Sequence, residues 1–150
     1  MKKIILLMSA VLLLSASVLS AKEYEVAATP KLRNALNEAF TGAQDVKWYT
    51  DDNRTFTAKF EMSHAKVTAF FNEDGTLLAT SRYLDPEQLP LNVTSKLNKR
   101  FPDTSVFCVV EYSSGENTVY FITLESKDTW TVVKTDASAI LKIHSRLKKV

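Results

Sequence analysis

The stretch "LPLNVTSKLNKRFPDTSV", residues 89–106, reads as a second copy of "TPKLRNALNEAFTGAQDV", residues 29–46. Each has a proline in second place, then a helical apolar pattern that runs to a Leu and a Phe. Leu36 and Leu97 lie 61 residues apart, as do Phe40 and Phe101. In the first copy Leu32, Ala35, Leu36, Ala39 and Phe40 fall on one helical face. Thr29 suits the N-cap, Pro30 the first helical position, and Gly42 the exit. In the second copy Asp85-Pro86 opens a short turn, Val93, Leu97 and Phe101 share a face, and Pro102 stops the helix.

Four strand-like segments follow each helix. After the first come 46–49, 55–60, 66–71 and 76–83, with Asp74-Gly75 as a tight turn. After the second come 105–112, 117–125, 129–135 and 139–147. Phe56/Ala58/Phe60 map on Tyr120/Ile122/Leu124 at spacing 64, while Val67 maps on Trp130 and Leu77 on Ile140 at spacing 63. The expected fold is α+β: two tandem helix-plus-four-strand repeats, about 29–83 and 85–147, forming one antiparallel sheet with helices on one face. One unit of about 60 residues buries too little apolar surface to be secure alone, so the two share a core.

The 150-residue chain begins with Lys2 and Lys3, an apolar run from Ile4 to Leu14, and small residues to Ala21. This is the layout of a secretory signal peptide, cleaved near Ser20 or Ala21, and the expected location is the periplasm. The apolar run is too short for a membrane span. Removing residues 1–21 takes two of the 19 basic residues and none of the 17 acidic ones, leaving 17 of each. That balance argues against nucleic acid as a partner. Residues 22–150 read as a single domain. Cys108, the one cysteine, cannot form an internal disulfide and suits a buried thiol.

Chemistry is sparse. His64 and His144 stand alone, without metal-ligand spacing. Asp51, Asp52 and Asn53 lack the spacing of a calcium loop and read as a solvated turn. There is no glycine-rich phosphate loop. The reading is a non-enzyme with no cofactor, no metal and no catalytic residue.

"VKW" around Trp48, the F-x-A-x-F strand, "NEDGTLL" (72–78) and the "LP" before the second helix complete a recognisable pattern. The chain resembles the small exported PepSY-like proteins of Bacteroidetes, whose fold is similar to the β-lactamase inhibitor protein. "TDASAIL" (135–141) departs from the pattern in lacking the turn glycine. The resemblance implies tandem repeats and an open sheet face that grips a protein, a peptidase or other enzyme among the candidates. It supplies no catalytic residues.

The sheet pattern places Lys47/Tyr49, Thr57/Lys59 and Lys66/Thr68/Phe70 on the open face of the first repeat. The same register in the second exposes Val106/Cys108/Val110/Tyr112, Val119/Phe121/Thr123 and Thr131/Val133. An apolar patch of that size on a soluble domain marks a partner or ligand site. A one-residue slip, or a bulge in "VFCVVEY", sends the same set into the core. Trp48 and Trp130 are expected in the core. The candidate contact residues are Tyr49, Phe70, Tyr112, Phe121 and Val133, for an unknown periplasmic or surface protein. The alternatives are a small hydrophobic ligand in the cupped sheet and, for the apolar face, a second copy of the chain.

Overall fold

The computed structural model describes residues 23–150; the signal-peptide expectation lies outside them. The described chain is one nine-stranded antiparallel sheet whose strand order is the chain order. Strands β1 (Tyr24–Val26), β2 (Gln44–Thr50), β3 (Thr55–Met62), β4 (Ala65–Asn72) and β5 (Leu77–Leu84) form the first part. Strands β6 (Ser105–Ser114), β7 (Asn117–Glu125), β8 (Thr129–Asp136) and β9 (Lys142–Lys148) continue it. Helix α1 (Pro30–Ala39) lies between β1 and β2. A 3-10 turn (Pro86–Gln88) and helix α2 (Leu91–Arg100) lie between β5 and β6.

This corrects the expected architecture. The protein is not two tandem helix-plus-four-strand repeats but mostly one continuous sheet with two helices of ten residues each. A ninth strand, β1, pairs ahead of the first helix, with Val26 opposite Trp48. No boundary interrupts the middle of the sheet, because β5 and β6 pair from Thr80↔Ser113 to Leu84↔Val109.

Local chemistry explains the helices. The Thr29 hydroxyl accepts the Leu32 N–H at 3.2 Å, satisfying one of the free donors of the first turn, and Pro30 needs no such partner. Leu32 and Leu36 are buried on Trp48, Ala58, Phe60, Ala69 and Phe71. Helix α2 buries Val93 and Leu97 against Leu84, Val109, Ile122, Leu124 and Val133. Opposed residues share a face, and the ladder runs Ala58↔Ala69↔Thr80↔Ser113 and onward through Val109↔Ile122↔Val133. Both helices therefore cover the same face. Among the described residues no helix covers the other, open face.

The strands depart from the expected segments at three places. The last begins at Lys142, because Ala139 takes φ +57° in the preceding turn. A bulge separates Val106 from Cys108, so Val106 faces Leu124 and the helix-side core instead of the open face. Val133 lies opposite Ile122 as Ala69 lies opposite Ala58, a spacing of 64 where the sequence matching used 63. That single residue sends Thr131 and Val133 into the helix-side core, both buried, and turns Trp130 to the open face.

Candidate functional site

The candidate site is the open face. Pleating puts Tyr49, Thr57, Phe70 and Ala79 in one row across β2 to β5. A second row runs from Tyr83 through Val110 and Phe121 to Lys134 across β5 to β8, and Ser81, Tyr112 and Val119 stand beside it. A groove of about 920 Å³ crosses these strands, walled by Phe70, Tyr112 and Phe121 among others. Thr57 and Ala79 are small enough to sit at its floor, and both are buried.

The structure places Tyr49, Phe70, Tyr112 and Phe121 on this face, with Tyr112 37 % exposed and the others half-buried. Val133 is corrected: it is fully buried under α2 and offers nothing to a partner. Trp130, expected in the core, is half-buried on the open side and meets the Phe107 ring edge-on at 4.8 Å. Trp48 is buried against Phe71, ring centroids 5.6 Å apart. Tyr83 and Phe107, both about half exposed, belong to the same face and escaped the sequence reading. Tyr83 was legible, since it alternates with Leu84, the residue before the "DP" turn. Phe107 was not, because its orientation follows from the bulge.

Charges ring the aromatics. The Lys59 ammonium donates to the Glu23 carboxylate at 2.8 Å and lies 4.5 Å from the Tyr49 ring. Lys134 sits 5.5 Å from the Phe121 ring, and His144 meets the same ring edge-on at 5.5 Å. Lys149 pairs with Glu125 at 2.6 Å and covers Trp130 at 4.6 Å. Burial pushes the Cys108 thiol above its ordinary pKa, and burial, with Cys108 nearby, raises the Tyr83 phenol. A thiol held protonated is a poor nucleophile. Among the described residues no three His, Cys, Asp or Glu side chains gather as a metal site. Asp52 accepts the Arg54 and Thr55 N–H groups at 2.8 Å each, so its carboxylate caps a turn.

Known structures share this architecture. A DUF2874 family protein from Bacteroides ovatus superposes with a TM-score of 0.69 at 16% identity, covering 82% of this chain and 89% of that one. A BLIP-like protein from Bacteroides fragilis gives 0.67 at 17% identity, covering 83% and 86%. A Bacteroides eggerthii protein, provisionally named as periplasmic, gives 0.68 at 15% identity, covering 82% and 90%. The likeness to these Bacteroides proteins is one of fold. The names of these three do not include PepSY. No family model matches the sequence, and no curated protein matches it. Among the described residues no helix is long and apolar enough to cross a membrane.

Proposed function

We propose that this chain is a non-enzymatic exported binding or inhibitory module that engages a periplasmic or surface protein through its open sheet face. The observation that carries this reading is the group of aromatic side chains, Phe70, Tyr83, Phe107, Tyr112, Phe121 and Trp130, left on the solvent side of a sheet whose other side is covered. Rigid aromatics with a polar rim are the residues that dominate protein interfaces. The BLIP-like neighbour supports a protein as the occupant. A secreted peptidase is the partner class that the PepSY-like resemblance implies.

The test uses residues 22–150 and two charge variants on the groove wall, Tyr112→Asp and Phe121→Asp, each checked for its fold by circular dichroism. Once a periplasmic partner is purified, its affinity for both folded variants should fall at least tenfold. Unchanged affinity in both would remove the open face from the interface.

The groove's volume favours a second reading, a carrier of a small hydrophobic ligand, since about 920 Å³ is within the range of ligand pockets. Native mass spectrometry separates the two: a bound mass displaced by Phe121→Asp supports the carrier, and a clean apo mass removes it.

A further inference from the structure

We infer that the outer edge of β9 is a second docking site, separate from the open face, that takes an acidic extended peptide as a tenth strand. The backbone geometry defines the site. Thr129 lies opposite Lys148, and the Lys149 N–H donates to the Asp128 carbonyl at 2.9 Å. In an antiparallel ladder the hydrogen-bonding direction alternates residue by residue. The N–H and C=O groups of Leu147 and Ser145 therefore point at β8, and those of Arg146 and Lys148 point away from the sheet. An edge with free donors and acceptors in register is a template for another strand.

The side chains select the strand. From Ala137 to Val150 the chain holds Lys142, Arg146, Lys148 and Lys149 and no acid. Of these four, Lys149 alone is in an ion pair with a described residue. Lys142 sits opposite Lys134, and Arg146 and Lys148 sit opposite Thr131 and Thr129. Ile143 and Leu147, each about 40 % exposed, offer apolar contact on the two faces. A second copy pairing antiparallel through its own β9 sets lysines and arginine against one another, a like-charge arrangement that is destabilising. The charges that block self-pairing are those that favour an acidic partner. The opposite edge, β1, has only three residues and offers a much shorter template.

The test uses the mature chain and a fluorescein-labelled (Glu-Val)4 peptide at low salt, with (Lys-Val)4 as the charge control. The acidic peptide should bind at micromolar to sub-millimolar concentration and weaken with salt. It should also slow amide hydrogen exchange at Arg146 and Lys148, whose N–H groups face outward. Arg146→Pro removes one outward donor and no bond to β8, a position where an edge strand tolerates proline. It should weaken binding at least fivefold, and Lys148→Glu at least as much if the proline disturbs the strand. Equal binding of both peptides, no binding at 1 mM (about the weakest affinity of interest), or protection confined to the open face would each overturn the assignment.

Discussion

At the scale of single residues, neighbours in sequence have opposite fates. Ile122 has no exposure and lies beneath α2, whereas Phe121, next to it, is half-buried on the open face between Lys134 and His144. Ile122→Ala leaves a cavity and should cost about 2–5 kcal/mol. Phe121→Ala should cost below about 1 kcal/mol, since it removes no core contact. Urea denaturation of the two variants measures the difference, and equal losses would mean that the faces are wrongly assigned. Acid stability has a residue-scale cause as well. The Asp136 carboxylate accepts hydrogen bonds from the Ser138 N–H and hydroxyl, which hold its pKa below the ordinary 3.8. A carboxylate whose pKa is depressed by folding stabilises the native state above its unfolded value, and that contribution disappears as the pH falls through the folded value. Asp136→Asn should therefore lower stability at pH 6 and lose its effect as the pH drops below about 3.8, the ordinary carboxylate value. Denaturation midpoints across that range check it.

Elements are where the sequence was most legible, and also where single residues misled. Both helices could be read because their buried residues, Leu32 and Leu36 in one and Val93 and Leu97 in the other, recur at helical spacing and prolines mark their boundaries. The hairpin turns could be read where glycine marks them. Gly75 adopts φ +79°, and a Cβ there would lie 3.2 Å from the Ala35 Cβ of α1. Gly75→Ala should therefore destabilise by about 1 kcal/mol or more through backbone strain and crowding. Thr29→Ala removes the cap of α1 and should cost about 1 kcal/mol. Thermal melts of both variants check these values. Less was legible where a strand changes its period. The bulge at Phe107 carries no composition signal of its own, and β1, three residues long, is too short to show an alternation. The face of β8 was lost to one residue of offset, because "TWTVVKT" is apolar on both sides and either register looks acceptable. Val133 entered the candidate site for that reason alone.

Across the whole molecule, the sequence pattern pointed to one antiparallel sheet divided into two tandem helix-plus-four-strand repeats, whereas the structure is one continuous nine-stranded sheet without that division. The join between β5 and β6 is non-local, made across the turn and α2, and no short-range pattern announces it. Its consequence is cooperativity. Leu84, at the end of β5, packs in the core beneath α2 rather than with the strands that precede it. The chain should unfold in one transition. Trp48, buried below α1, and Trp130, on the far part of the sheet, report separately when each is left as the sole tryptophan by Trp→Phe exchange. Their denaturation midpoints should coincide with each other and with circular dichroism. Separate midpoints would show two independently stable halves.

Because strand order follows chain order, β1 and β9 are the two outermost strands. Eight interstrand spacings of about 4.8 Å put them roughly 40 Å apart. A pull on the two ends would act across the strands and load the eight ladders in series, so their hydrogen bonds would yield pair by pair rather than all together. The domain should be mechanically soft although it is thermodynamically cooperative. An optical trap holding Glu23 and Val150 should record unravelling from an outer margin at low force, in hairpin-sized steps. Any pull on the two ends would dismantle the open face strand by strand, and with it the docking surface proposed there.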